Sequence, residues 1–304
     1  MKSEIRKHYF LEKYVIITPG RAERPRGTIA KAVIVPERTC PFCPGKVEKQ
    51  LIVRGYPSSK NWHYLAIKNK YPVVELNNPE AYGQHEVIVD TPDHFKELAQ
   101  FSVEELVGLI EVYKDRTEEL SKIKDIEYIL VFKNYGGKAG ASLIHAHSQV
   151  FASKILPPDV VEEQAETKRY KAANGNCPYC DILKKEEKSP RLVWANSEIV
   201  AFCPYASEFH HEIWILPRHH LDNITELNNN ETLSFAKTLK KIMVKLFTLN
   251  VEYNFFLHQI IRDTDQHFYL KIQPRESVWA GIELGSGIVV NSMAPEEAAK
   301  FYRK

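Results

Sequence analysis

Cys40-Pro41-Phe42-Cys43 returns in mid-chain as Cys177-Pro178-Tyr179-Cys180, and that recurrence decides how the rest of the chain is read. Self-similarity at long range marks a duplicated unit. Each C-x-x-C pair is followed by the same series. His85-Glu86-Val87-Ile88-Val89 runs on to His94, and His211-Glu212-Ile213-Trp214-Ile215 runs on to His220 over an equal interval. Helical patterns come next. Ser102-Val103-Glu104-Glu105 is a capping box, and Leu106, Val107, Ile110 and Tyr113 follow it at helical spacing. Leu233, Ala236, Leu239, Met243 and Leu246 give the second helix. The segments 127–132 and 252–257 read as strands, and after a loop the segments 145–150 and 267–272 read as further strands. The expected architecture is α+β: two tandem repeats, residues 1–170 and 171–304, each an antiparallel sheet with helices packed on it.

Composition narrows the function classes. The chain has 304 residues, 44% apolar and 26% charged, which is ordinary globular usage. A formal net charge of +2 is far from the basic excess of a dedicated nucleic-acid binder. No apolar run approaches the roughly 20 residues of a spanning helix. Residues 1–7 lack the apolar core of an export signal, so a cytoplasmic protein without membrane or nucleic-acid partners is expected. Five cysteines in such a chain point to metal or redox chemistry rather than disulfides.

Zinc favours tetrahedral thiolate and imidazole sites. The repeat supplies two: Cys40, Cys43, His94 and His145, then Cys177, Cys180, His220 and His267. Four protein ligands leave no open position, so these sites read as structural. Iron in one of them is left open by the sequence. The fifth cysteine, Cys203, reads as a buried apolar residue.

The reacting segment is His145-Ala146-His147-Ser148-Gln149. With His145 held by metal, His147 is positioned and free to attack phosphorus, and Gln149 offers donors to phosphoryl oxygens. Gly140 lies in a glycine-rich loop, 134–142, whose backbone can approach phosphate, and Asn134, Lys138 and Ser142 add donors. In the second copy His147 becomes Tyr269 and Gln149 becomes Lys271, so one chemical site per chain is expected.

At these residues the chain resembles the galactose-1-phosphate uridylyltransferase family, the transferase branch of the histidine-triad superfamily, with its ADP-glucose phosphorylase relatives. Arg21-Ala22-Glu23-Arg24-Pro25, the first metal set, Asn69-Lys70-Tyr71-Pro72, Gly140 through Gln149, Gly281-Ile282-Glu283 and Pro295 through Ala299 match its motifs in order. The resemblance implies a ping-pong nucleotidyl transfer through His147. It places Gln149, Ser142, Asn134 and Arg24 on phosphate, Asn69 at the nucleoside and Glu283 at the sugar. It implies a nucleotide sugar and a sugar 1-phosphate as substrates, and a homodimer. Uridylyl transfer between hexose 1-phosphates is the first reading, ADP-glucose phosphorolysis the second and dinucleotide hydrolysis the third. The family's usual His-Pro-His-Gly-Gln is His-Ala-His-Ser-Gln here, and a sugar-contacting glutamine expected after Glu283 is Val289. A zinc-knuckle nucleic-acid binder is the competing class, disfavoured by charge. A thioredoxin-like redox role is weaker still.

Overall fold

The structure is a computed structural model that describes residues 3–20, 36–262 and 265–304. Among the described residues the main sheet has ten strands. Its first half comprises β3 (Ile52–Pro57), β4 (Trp62–Lys68), β5 (Gly83–Val89), β6 (Tyr128–Tyr135) and β7 (His147–Ser153). Its second half comprises β8 (Leu192–Ala195), β9 (Ile199–Phe202), β10 (Ile213–Pro217), β11 (Tyr253–His258) and β12 (Tyr269–Pro274). The spatial order is β3-β4-β5-β7-β6-β11-β12-β10-β9-β8. It is the same series read inward from either edge. The halves join where β6 meets β11 antiparallel, Phe132 opposite Phe256. A small second sheet pairs β1 (Glu4–Lys7) and β2 (Tyr14–Ile17) with β13 (Val289–Asn291).

Two long helices cover one face: α1 (Val103–Ser121) and α4 (Asn229–Leu249). Both begin with a reciprocal capping box, Ser102 with Glu105 and Asn228 with Glu231. Each box satisfies orphan N–H groups, and its cap residue is worth about 1 kcal/mol. Leu106, Leu109, Ile110 and Tyr113 of α1 are buried, and Phe235, Ala236, Leu239, Ile242 and Met243 of α4 join the same core. Leu233, expected on the buried face of α4, is 40% exposed, because the buried stripe runs through Thr232, Phe235, Ala236, Leu239, Ile242 and Met243 and leaves Leu233 at its side. The other helices are α2 (Pro158–Asn174), α3 (Pro178–Glu186), α5 (Gly281–Ser286) and α6 (Pro295–Arg303). No described helix is long and apolar enough to cross a membrane.

Period-two alternation decides which side chains meet the helices. On β7, Ser148, Val150 and Ala152 are buried toward them, and Tyr113 of α1 bonds Ser148. His147, Gln149 and Phe151 therefore face the other way. Two strand expectations shift. β7 begins at His147 and β12 at Tyr269, so His145 and His267 precede their strands rather than share them. The second shift concerns register. Val87 pairs with Gln149 and Trp214 with Lys271, so Trp214 answers to Val87 and Glu212 to His85. His211 is not the counterpart of His85. Its φ of 55° turns it away from that face, and its ring donates to Glu276 at 2.8 Å.

Candidate active site and metal centres

The two Cys/His clusters assemble as the spacing predicts. Cys40, Cys43, His94 and His145 form one, and Cys177, Cys180, His220 and His267 the other, with the candidate ligand atoms of each set within 4.8 Å of one another. Zinc with ordinary Zn–S and Zn–N bonds places sulfur and nitrogen about 3.5 Å apart across a tetrahedral edge. Cys40 Sγ lies 3.5 Å from His145 Nδ1, and Cys43 Sγ lies 3.4 Å from His94 Nδ1. Cys180 Sγ is 3.6 Å from both His220 Nδ1 and His267 Nδ1.

Hydrogen bonds at the far side of the rings agree. A carbonyl only accepts, so His145 Nε2–H donates to Thr91 O at 2.8 Å and leaves Nδ1 with its lone pair. His267 Nε2–H does the same to Pro217 O at 2.9 Å. Burial, with Cys40 adding to it, pushes the Cys43 thiol up to about 11, a penalty that a cation between the sulfurs would remove. The donor sets therefore fit a metal ion. The first set is wholly buried, whereas Cys180 and His220 of the second are partly exposed.

The first cluster also anchors the start of β7. His147 is 7% exposed, and its ring lies 5.2 Å from that of Phe42, inside the first C-x-x-C pair. His147 Nδ1–H donates to His145 O at 2.8 Å. Nε2 is then the unprotonated nitrogen of the neutral ring. Burial, helped by the charge of Lys133, lowers the imidazole to about 4, so the ring is neutral at physiological pH.

Two cavities meet at His147 and Leu143. One, of about 370 Å³, is lined by Phe42, Leu51, Asn69, Ser142 and Gln149 among others. The other, of about 540 Å³, is lined by Glu97, Asn134, Gly136 and Lys138 among others. Asn134 accepts from Asn254 at 2.8 Å, and Asn254 also donates to Ala139 O at 2.8 Å, tying β11 to the glycine loop. Gly136 and Gly140 have φ of +86° and +84°. At Gly136 a Cβ would stand 2.2 Å from Glu252 Cγ, so the loop's close approach to Glu252 requires glycine.

His85, which the sequence marked only as a landmark, belongs to the site. Its Nε2–H donates to Gln149 Oε1 at 2.9 Å, and Asn69 Nδ2 reaches the same oxygen at 3.4 Å. With its oxygen occupied, Gln149 presents its NH₂ to the cavity. The signal was available: 85, 87 and 89 alternate onto one face of β5, beside 147 and 149.

Two expected residues stand apart. Arg24 lies outside the described residues. Glu283 caps α5, accepting the Ala280 N–H at 2.8 Å, and lines neither cavity at His147 within one chain.

In the second half the corresponding face also borders a cavity, of about 850 Å³, lined by Trp214, Phe256, His258, Tyr269 and Lys271 among others, but its side chains are differently engaged. Tyr269, in the place of His147, is stacked between Trp214 and His258, with ring centroids 4.7 and 4.6 Å away. Lys271, in the place of Gln149, is paired with Glu208 at 3.3 Å and Glu212 at 3.5 Å.

Fold and site together define a nucleotidyltransferase. The chain belongs to the galactose-1-phosphate uridyl transferase family: residues 1–157 match the model of its N-terminal domain. It is 30% identical to an ADP-glucose phosphorylase of Arabidopsis thaliana, over 99% of this chain and 92% of that protein. It is 27% identical to a galactose-1-phosphate uridylyltransferase of Thermotoga maritima, over 99% of this chain and 98% of that protein. Among solved structures, an Arabidopsis thaliana ADP-glucose phosphorylase with bound ADP-glucose superposes with a TM-score of 0.88 at 29% identity, covering 100% of this chain and 99% of that one. A uridylyltransferase superposes with a TM-score of 0.78 at 28% identity, covering 99% and 97%.

Proposed function

We propose that His147 carries the nucleotidyl group in a two-step transfer from a nucleotide sugar to a second phosphorylated acceptor. The observation that supports this most is the Nδ1–H bond to the His145 carbonyl, which leaves Nε2 as the free nucleophile where two cavities meet. Nε2 attacks the α-phosphorus, a P–N bond forms, and the P–O bond to the sugar phosphate breaks. Sugar 1-phosphate leaves as a weak base and needs no strong acid. An acceptor phosphate oxygen then attacks the adduct and regenerates His147. Gln149, oriented by His85 and Asn69, donates to the phosphoryl oxygens as charge develops. Asn69 flanks the nucleoside, while Ser142, Asn134, Gly140 and Arg24 serve the phosphates.

The substrates that fit the family best are UDP-glucose and a hexose 1-phosphate, making the reaction a uridylyl transfer of galactose metabolism. One observation favours a second reading, ADP-glucose phosphorolysis with inorganic phosphate as acceptor: the high structural similarity to the enzyme that carries bound ADP-glucose. In either case both clusters hold zinc, whose role is to fix the strands and loops. Residues 1–170 act as the chemical unit and 171–304 as scaffold. The protein works in the cytoplasm as a homodimer, and Glu283 serves the sugar end of the substrate.

Incubation with radiolabelled UDP-glucose and, separately, ADP-glucose without acceptor tests this. The expected result is acid-labile, alkali-stable label on the protein, with the base identified by which donor labels. Failure of both donors, or equal labelling of His147→Ala, overturns the reading.

A further inference from the structure

Beneath His147, on the helix side of the sheet, lies a group of buried polar residues that the transfer mechanism does not use. Lys133 of β6 is 1% exposed and Asp90 is wholly buried. Lys133 Nζ donates to Asp90 Oδ2 at 3.0 Å and to the carbonyl of His147 at 3.1 Å. Asp90 Oδ2 also accepts the Ser148 hydroxyl at 3.0 Å. That leaves Tyr113 as the donor to Ser148 Oγ, at 2.6 Å. The Asp90 backbone N–H donates to Ala146 O at 3.0 Å. Three consecutive residues, 146, 147 and 148, are each tied to Lys133 or Asp90.

The second half shows that the fold does not need this arrangement. Phe132 pairs with Gln149 as Phe256 pairs with Lys271, so Leu257 stands in the place of Lys133 and Leu270 in that of Ser148. Both leucines are buried. Ile88 pairs with Ser148 as Ile215 pairs with Leu270, and the next landmarks are Thr91 and Pro217, whose carbonyls receive the metal-set histidines. Two residues separate Ile88 from Thr91 and one separates Ile215 from Pro217, so Asp90 belongs to the longer connection and has no counterpart. Taking an ion pair out of water is unfavourable, and apolar residues of similar size commonly hold a core as well or better. The costlier choice occurs only beneath the half that keeps a histidine.

We propose that Lys133 and Asp90 are positioning residues for His147, fixing the peptide that carries it so that Nε2 meets phosphorus in line. The proposal rests on His147 being the nucleophile. Misplacing a reacting group by about 1 Å costs on the order of a hundredfold in rate. The network therefore acts on the chemical step and not on nucleotide affinity.

The test is single-turnover formation of the adduct on the full-length, metal-loaded protein, comparing wild type with Lys133→Met and with Lys133→Met/Asp90→Asn. The double variant removes the charges of Lys133 and Asp90, and the third charge of the group, Glu97 at 3.8 Å from Lys133, is already pushed up to about 7 by burial and goes neutral once that cation is lost, so the fold is preserved. Donor affinity, metal content and melting temperature are measured on the same samples. The expected result for the double variant is an adduct rate at least about tenfold lower, with donor affinity and metal content unchanged and melting temperature near wild type. A rate within twofold of wild type overturns the proposal, as does a loss confined to melting temperature or donor affinity. If wild type itself forms no adduct, it is the reading of His147 that fails.

Discussion

The strand that starts at His147 and the strand that starts at Tyr269 occupy matching places in one sheet, each just after a histidine of a Cys/His cluster. One presents an imidazole with a free Nε2 to a cavity. The other presents a phenol stacked between Trp214 and His258. A Cys/His cluster of the same kind thus precedes two strands that present different groups. Both faces border a cavity, but only the first offers an unprotonated imidazole nitrogen with the Lys133–Asp90 pair on the helix side beneath it.

The sharpest way to break the comparison is to alter the residues that set the two faces apart. His147→Ala should lower transfer by at least about a thousandfold, since it removes the nucleophile itself. Gln149→Ala comes next, with a fall in kcat of about 10²-fold for losing a donor that strengthens in the transition state. His85→Ala should be milder, about tenfold in kcat, because Gln149 keeps its NH₂ and loses only the anchor on its oxygen. Separating the metal sites sharpens the contrast further. Cys177→Ser should lower the melting temperature by about 10 °C or more yet leave the rate per folded molecule within about threefold, whereas Cys40→Ser should reduce both. Tyr269→Phe should do least, changing kcat by less than about twofold. Steady-state kinetics and thermal melts on the same preparations check all six variants.

Much of this was legible in the sequence. The gathering of eight Cys and His residues into two clusters, and the match of Tyr269 and Lys271 to His147 and Gln149, are found in one ten-stranded sheet with two capped helices on one face. The parts that did not read arise from register and from chain length. His85 and His211 match as letters, but one extra residue before Thr91 breaks the equivalence, and Glu212 takes the place of His85. Such a slip is invisible until strand pairing is known, because it sends a side chain to the opposite face. Leu233 fits the spacing to Ala236, but Thr232, one position earlier, takes the inward place on the stripe that continues through Phe235 and Leu239. Lys133 and Asp90 lie far apart in sequence and carry no motif, and only the pairing of β6, β7 and β5 brings them together.

Whether one half alone holds a nucleophile is decided by peptide mapping of the protein after exposure to UDP-glucose or ADP-glucose without acceptor, under conditions that preserve phosphoramidates. The expected result is one nucleotidyl group per chain, on His147, and none on any second-half residue. A nucleotidyl group at another residue, or turnover without any adduct, would contradict it.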